Sequence, residues 1–293
     1  MKFGYMMLGV SLKYQGACAV RAEQRGFESV WLPEHLVMPE SMPDSYPYTA
    51  DGKPGIVPQT PLFDPWVLIS HLAAQTTTLR FGTAVYILPL RHPLVTARAL
   101  VTLDRLSRGR IILGAGIGWL KEEFDAVGLP FNKRGKLMDE IIPLLRRLWS
   151  EEVIKHEGEH YQFGPIRFEP KPTEATGIPI EIGGSSPPAL RRIGAMGDGW
   201  VEPGSPDFDG LAEKIKLIQQ YRKEAGREHL PFEVTVIANN IFNTPDDVRR
   251  AAEIGVTRIV VSPLNSPYSP LTLKGPDYVD FVDRYADAVI DKL

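Results

Sequence analysis

Short β-rich runs alternate with helix-like segments along the whole chain, and this alternation limits the available folds more than any other feature of the sequence. Each of eight such runs is followed by a segment with helical periodicity. The runs are residues 2–7, 29–33, 79–88, 110–116, 178–182, 199–202, 232–238 and 257–262. Eight alternations within 293 residues predict an α/β fold of the (β/α)8 TIM-barrel type. A doubly wound open sheet is the alternative, because strand order cannot be read from a sequence.

Four of the helix-like segments begin with a capping residue followed by proline. In such a pair the first side chain accepts a free backbone N–H, and proline lies in the first turn, where no donor is needed. The four pairs are Asp64-Pro65, Ser186-Pro187, Ser205-Pro206 and Thr244-Pro245. Each pair predicts the start of a helix.

Three segments exceed the usual length of a connection and predict insertions after strands two, four and eight. Residues 35–63 follow the second strand and contain six prolines, together with Tyr46 and Tyr48. Residues 152–176 form a hairpin-like insertion before the fifth strand, and residues 262–275 follow the eighth. Since loops after barrel strands open on the catalytic face, we expect the first and third insertions to form the walls or lid of a site.

Charge and cysteine content exclude several classes of partner. The chain carries 33 basic and 36 acidic residues, a net charge of -3, without a Lys/Arg cluster, which argues against nucleic acid or an anionic membrane. Cys18 is the only cysteine, so a reducing, cytoplasmic location is expected. No run approaches transmembrane length, and the N-terminal MKFGYMMLGV is interpreted as a strand. A small-molecule substrate remains the expected partner.

The stretch GRIILGAGIGWLKEEFDAVG, residues 109–128, places Gly114, Gly116 and Gly118 after an apolar run. It does not fit the dinucleotide-binding pattern Gly-x-Gly-x-x-Gly, because Trp119 stands where the third glycine should be. Two interpretations stay open. The glycines leave room for a flat ligand across the barrel mouth, or they allow tight packing between the fourth strand and its neighbours.

Five blocks of sequence, in order, resemble those of the bacterial luciferase-like superfamily of flavin and deazaflavin enzymes. The blocks are FESVWLPEH, LRFGTAVYILPLRHP, LDRLSRGRIILGAGIGW, PIEIGGSSPPALRR and GDGW. The wording of LDRLSRGR and LPLRHP is most similar to the branch that uses coenzyme F420, a hydride-carrying 5-deazaflavin. The resemblance implies one barrel domain over residues 1–293, with the cofactor ring at the carboxyl ends of the strands, and a homodimer.

The resemblance also implies a cofactor site. In this family a non-proline cis peptide near the end of strand three backs the cofactor ring, and the matching bond here joins Ala84 to Val85. A second element lies at the end of the fifth predicted strand. Backbone N–H groups that glycines leave accessible, two hydroxyls and the positive end of a helix are suited there to binding a phosphate. An ordinary capped junction is the alternative there. The cofactor-binding residues expected from both elements and the glycine-rich stretch are Thr83, Ala84, Val85, Gly116, Gly118, Gly183, Gly184, Ser185 and Ser186.

For proton chemistry the candidates are Glu34 and His35 at the end of strand two. His35 matches a histidine that several members of the deazaflavin branch place beside the ring, and imidazole suits proton exchange near neutral pH. The alternative makes His35 structural and Glu34 the partner of an arginine. Glu122 and Glu123 are interpreted as a solvated helix face rather than as part of the mouth.

Other clusters of polar residues carry less chemistry. Arg91 and His92 either hold the cofactor tail or cap and pair locally. His156 and His160 are interpreted as part of a solvated hairpin, and no metal is expected. The predicted function is hydride transfer between coenzyme F420 and a small organic substrate. The alternatives are an FMN-dependent monooxygenase and a non-catalytic barrel that binds a flavin or another ligand.

Overall fold

The computed structural model describes residues 1–204, 207–238, 242–269 and 274–293. The strands are β1 (Lys2–Met6), β2 (Ser29–Leu32), β3 (Arg80–Thr83), β4 (Tyr86–Ile87), β5 (Ile111–Gly116), β6 (Ile154–Glu157), β7 (Gln162–Ile166), β8 (Ile180–Gly183), β9 (Gly199–Glu202), β10 (Glu233–Ile237) and β11 (Arg258–Val261). The α-helices are α1 (Leu12–Gln24), α2 (Pro65–Ala73), α3 (Pro93–Ser107), α4 (Lys121–Ala126), α5 (Arg134–Ser150), α6 (Pro187–Met196), α7 (Phe208–Glu224), α8 (Pro245–Glu253) and α9 (Asp277–Ala288).

Eight parallel strands close into a barrel, which confirms the predicted TIM-barrel fold. The order around the barrel is β1, β2, β3, β5, β8, β9, β10 and β11, and the ring closes where β11 pairs with β1. Strands that follow one another in this order along the chain are therefore also adjacent in the sheet, and the first pairs with the last. An open doubly wound sheet does not have this arrangement. The third predicted strand is divided, because β4 continues beyond β3 and pairs with the end of β5.

Two of the predicted capped starts have the expected hydrogen bonds. The Asp64 carboxylate accepts the backbone N–H groups of Trp66 and Val67 at 2.9 and 3.0 Å. Thr244 forms a capping box with Asp247. Ser186 is the N-cap of α6, but its side chain makes no capping hydrogen bond. The predicted Ser205-Pro206 pair lies outside the described residues, and α7 is capped by Asp207.

The structure describes two of the three long segments in full and part of the third. Residues 33–64, all described, contain no helix or strand between β2 and α2. The predicted hairpin within residues 152–176 is the antiparallel pair β6–β7. Part of the segment after β11, residues 270–273, lies outside the described residues. No helix in the described part of the chain combines the length and apolar character needed to cross a bilayer.

The barrel interior is filled in layers. Near the amino ends of the strands, the buried Arg258 guanidinium donates to Glu181 at 2.7 Å and to Glu28 at 3.0 and 3.1 Å. The Trp31 indole lies above it, with 5.4 Å between the ring centroid and Arg258 Cζ. Gly4 and Gly82 on the adjacent strands leave room for this ring, since a Cβ at either position would approach it to 2.8 or 2.6 Å. The larger apolar core lies between the outer face of the barrel and the helices.

Glu23, near the end of α1, ties the helix to the turn that precedes β3. Its carboxylate accepts the backbone N–H groups of Thr77, Thr78 and Leu79 at 2.8, 2.6 and 2.8 Å. Partial burial alone would raise the pKa of this carboxyl, but the hydrogen bonds outweigh it and lower the pKa from 4.5 to about 2. The ionised form is therefore the one that stabilises the fold.

We predict that Glu23→Ala lowers the free energy of unfolding by about 1–2 kcal/mol at pH 7, a value reduced for solvent screening. Because the pKa of Glu23 is lower in the folded state than in the unfolded state, its carboxylate stabilises the fold above the unfolded-state pKa, and this contribution is lost as pH falls through the folded-state pKa. The loss of unfolding free energy caused by Glu23→Ala should therefore be about half as large at pH 3 as at pH 7. Urea denaturation at both pH values measures the free energy of unfolding. The control is Glu213→Ala, which replaces an exposed glutamate of α7. A deficit equal to the control, or undiminished at pH 3, would contradict the prediction.

Candidate active site

The carboxyl ends of the barrel strands surround an apolar floor. It is formed by Leu8, Ala84, Val85 and Ile237, which are half-buried and pack on a buried layer inside the barrel. The buried layer consists of Met6, Trp31, Ile112, Val201 and Val260. An apolar surface of this kind, open at the mouth of a barrel, is where TIM-barrel proteins bind their ligands.

Val85 is wedged between two glycines on the floor. The Ala84–Val85 peptide is cis, the geometry that the family resemblance implied for this bond. A Cβ on Gly116 would lie 2.3 Å from Val85 Cγ2, and a Cβ on Gly183 would lie 2.7 Å from Val85 Cγ1. The two glycines therefore make room for the Val85 side chain.

The remaining glycines of the GAGIG stretch also make room for protein atoms. A Cβ on Gly114 would lie 1.7 Å from the Thr83 carbonyl oxygen, and one on Gly118 would lie 2.8 Å from Ile87 Cγ2. The Thr83 hydroxyl is buried and donates to the Gly114 carbonyl at 2.8 Å. The structure supports close packing at these positions, and ring contacts by Thr83, Gly116 and Gly118 stay predictions.

The predicted phosphate-binding element follows β8, the fifth strand of the sequence prediction, and forms a short turn at the rim. Gly184 has a φ of +116°, and its carbonyl accepts the Trp200 indole N–H at 2.8 Å. Ser185 is half-buried, and Ser186 is exposed with its hydroxyl unused in capping. The start of α6 thus presents two hydroxyls and a positive helix end to the same side of the barrel as the apolar floor.

Aromatic side chains from the proline-rich segment cover part of the mouth. The Tyr46 ring lies 5.3 Å from that of Tyr48 and 5.1 Å from that of Trp119, and Trp119 lies 6.0 Å from His35. The pKa of Tyr48 is raised to about 12, mainly by burial and to a smaller extent by the neighbouring Tyr46 and Glu202. These phenols are therefore neutral hydrogen-bonding groups at physiological pH.

His35 lies at the rim and is held by a carboxylate. Its Nδ1 is 2.9 Å from Glu123 Oε2, and the other oxygen of Glu123 accepts the Leu36 backbone N–H at 2.7 Å. The Glu123 side chain is fully buried. The prediction that Glu123 lies on a solvated face was therefore wrong, whereas Glu122 is exposed as predicted. Leu120 and Phe124, buried on either side, carry the i, i+4 apolar signal that identifies this inner face.

Glu34 has different partners from those of its neighbour. Its two oxygens accept the Ile87 backbone N–H and the Arg91 guanidinium, both at 2.7 Å. Arg91 also stacks on Tyr86, 4.6 Å from the ring centre. This is the arrangement of the structural alternative, so a catalytic role for Glu34 stays a prediction. His92 caps α3, accepting the Leu94 backbone N–H at 3.2 Å.

The hairpin histidines are fixed by one glutamate. His156 Nε2 lies 2.9 Å from Glu140 Oε1, and the backbone N–H groups of His160 and Tyr161 donate to the same carboxylate. His156 and His160 are mostly buried, so the solvated environment predicted for them was wrong. Among the described residues, no three His, Cys, Asp or Glu side chains are grouped as metal ligands.

Comparison with known proteins shows the family. The profile described as luciferase-like monooxygenase matches residues 1–271, and the chain belongs to this family. An uncharacterised protein of Mycobacterium tuberculosis is 35% identical over the full length of both chains. The F420-dependent glucose-6-phosphate dehydrogenase of Kineococcus radiotolerans is 32% identical over 201 residues, 67% of this chain and 54% of that protein.

A solved structure has the same fold. The coenzyme F420-dependent tetrahydromethanopterin reductase of Methanopyrus kandleri superposes with a TM-score of 0.75 at 18% identity, and 99% of each chain is covered. The likeness confirms the barrel. The family predicted from the five sequence blocks is likewise confirmed.

The wedge at Val85 predicts a compensating pair of substitutions. Gly116→Ala should lower the free energy of unfolding by about 1–3 kcal/mol, because its Cβ overlaps Val85. Adding Val85→Ala should recover most of that loss. A double-mutant cycle followed by thermal denaturation measures the coupling. Additive effects of the two substitutions would show that they do not share this contact.

Proposed function

We propose that this protein is an oxidoreductase that transfers a hydride between coenzyme F420 and a small organic substrate at the barrel mouth. The observation that carries the proposal is the position of His35. Its imidazole follows β2 on the carboxyl-end side of the barrel, where the apolar floor also lies, its side chain is 11% exposed, and Nε2 has no hydrogen-bond partner among the described residues. A proton donor or acceptor beside an apolar floor is what hydride transfer to or from oxygen-bearing carbon requires.

The residues present fit a flat tricyclic ring with a phosphorylated tail. The ring would lie on Ala84 and Val85, and the phosphate would meet Ser185, Ser186 and the start of α6. When bound, the deazaflavin supplies or accepts the hydride at its C5. The chain orients the reactants, limits water through the Tyr46–Trp119 contact, and provides one proton at His35.

The names of two similar proteins support this choice of cofactor, since a relative and a structural neighbour are both F420-dependent. The description of the family as monooxygenases favours a second candidate, in which FMN binds the same floor and activates oxygen. A third candidate is a barrel that binds the ring without turnover. The three differ in cofactor affinity and in their need for oxygen.

Titration with oxidised F420 and with FMN, followed by assays of cofactor turnover on a panel of alcohols, aldehydes and ketones, tests the proposal. We expect F420 to bind at least about tenfold more tightly, a difference of roughly 1.4 kcal/mol, and turnover to proceed without oxygen. His35→Asn should lower kcat by about 10²- to 10⁴-fold and leave the cofactor Kd unchanged. His71→Asn, an exposed histidine on α2, is the control.

Selective FMN binding with an oxygen-dependent product would replace the proposal by the monooxygenase. Tight binding without turnover on the whole panel would replace it by the binding barrel. Full activity of His35→Asn would remove the assigned proton donor even if F420 binds.

We further propose that the protein acts as a cytoplasmic homodimer. Val67 of α2 and Val95 and Leu106 of α3 are 72%, 64% and 67% exposed on two helices that pack together. Large apolar side chains exposed on neighbouring helices suit a self-complementary contact. Light scattering should give the mass of a dimer, and Val67→Glu should reduce it towards that of one chain. A monomeric wild-type protein at micromolar concentration would contradict this.

A further inference from the structure

We infer that Glu123 is a positioning residue that holds His35 in one tautomer, with the proton on Nδ1 and with Nε2 as the atom that exchanges a proton with substrate. The inference deepens the proposed function and rests on it for the catalytic consequence. The tautomer itself is a property of the protein without any cofactor.

Hydrogen bonding at Glu123 determines where the His35 proton lies. An ionised carboxylate only accepts hydrogen bonds, and one of its oxygens already takes the Leu36 N–H at 2.7 Å. The other oxygen, 2.9 Å from His35 Nδ1, therefore requires a proton on that nitrogen. With Nδ1 committed, the remaining ring nitrogen of the neutral imidazole is an acceptor.

Burial makes this arrangement rigid. Glu123 is fully buried on α4, next to the buried Phe124, and the bond from Leu36 fixes its second oxygen. The centroid of the Trp119 ring lies 6.0 Å from that of the imidazole, with the two ring planes at 85°. Breaking the bond to His35 would leave a buried carboxylate with one hydrogen bond fewer, which is unfavourable. The His35 ring therefore has little freedom to turn.

The other buried carboxylate near His35 is not free to take this role. Glu34 is bonded through both oxygens to Arg91 and to the Ile87 N–H. Glu34, the glutamate next to His35 in the sequence, is therefore not the one that holds its imidazole. The functional pair joins the end of β2 to α4, 88 residues away along the chain.

The proton balance follows from the tautomer. If an alcohol were oxidised, its O–H bond would break and His35 Nε2 would take the proton, while the carbon would lose a hydride, which the bound deazaflavin would accept, and would become a carbonyl. In the reverse direction Nε2–H returns the proton to the carbonyl oxygen as the hydride arrives at carbon. Glu123 stabilises the imidazolium that would form in the first case.

Nitrogen-15 NMR of the wild-type protein tests the tautomer without cofactor or turnover. Above neutral pH, long-range proton–nitrogen spectra should show His35 with a protonated Nδ1 and an unprotonated Nε2. The signals of His35, one of six histidines, are identified by their absence from the spectrum of His35→Asn. A protonated Nε2, or two tautomers in equal amounts, would overturn the inference whatever the cofactor proves to be.

Glu123→Gln tests the consequence. The amide can donate to Nδ1 as well as accept from it, so the His35 nitrogen signals should shift towards the Nε2-protonated form. With F420 and a substrate of the wild-type enzyme, kcat should fall by about 10- to 1000-fold while the cofactor Kd stays within twofold. Glu122→Gln, the exposed neighbour, should change neither quantity.

The outcomes separate the two proposals. A wild-type Nδ1–H tautomer with no F420 turnover upholds the pair and rejects the proposed function. F420 turnover with a Glu123→Gln kcat equal to that of Glu122→Gln upholds the function and rejects the positioning role. If Glu123→Gln does not fold, Glu123→Asp replaces it, and loss of the Nδ1–H signal together with reduced kcat is then expected, because the shorter side chain withdraws the acceptor.

Discussion

The barrel depends on how Trp31 is accommodated. Its indole fills the interior between the strands, and the neighbouring strands β1 and β3 carry glycine, Gly4 and Gly82, where a Cβ would collide with it. Below it, the buried Arg258 guanidinium donates to the buried Glu181 and to the partly exposed Glu28, so the buried cation is paired where water is excluded. Above it, the apolar floor rests on the same layer. The apolar floor at the mouth is therefore supported by a filled interior.

The chemistry of the mouth is set by which partner each buried carboxylate finds. Glu34 is neutralised by Arg91, so it fixes the turn after β3. Among the side chains of the described residues, Glu123 hydrogen-bonds to that of His35, so its effect falls on the imidazole. Glu202, at the end of β9, lies near enough to Tyr46 and Tyr48 to raise the pKa of both, after the larger effect of burial. Three similar side chains thus have three different kinds of partner: a guanidinium, an imidazole and a pair of phenols.

Glycines at strand ends show how one residue type serves two purposes. Gly116 and Gly183 are predicted to lie beside a cofactor, and their missing side chains also admit Val85. Val85 in turn forms part of the floor on which the ring is proposed to lie. The glycines therefore shape the floor by letting a branched side chain lie close to the backbone, which no ligand-binding pattern in the sequence describes.

The sequence by itself determined the alternation of strands and helices, most strand positions and the capped starts at Asp64 and Thr244, because these depend on local periodicity and on hydrogen bonds within a few residues. It left an open sheet as the alternative to the barrel, and the pairing of β11 with β1 decided between them. The family blocks also located His35 and the Ala84–Val85 bond. Only the tertiary structure decided that Glu123 rather than Glu34 holds His35, and that the hairpin histidines are buried. Helical periodicity shows which residues share a face, but the partner of a buried charge is chosen by the element that packs against that face, often far away in the chain.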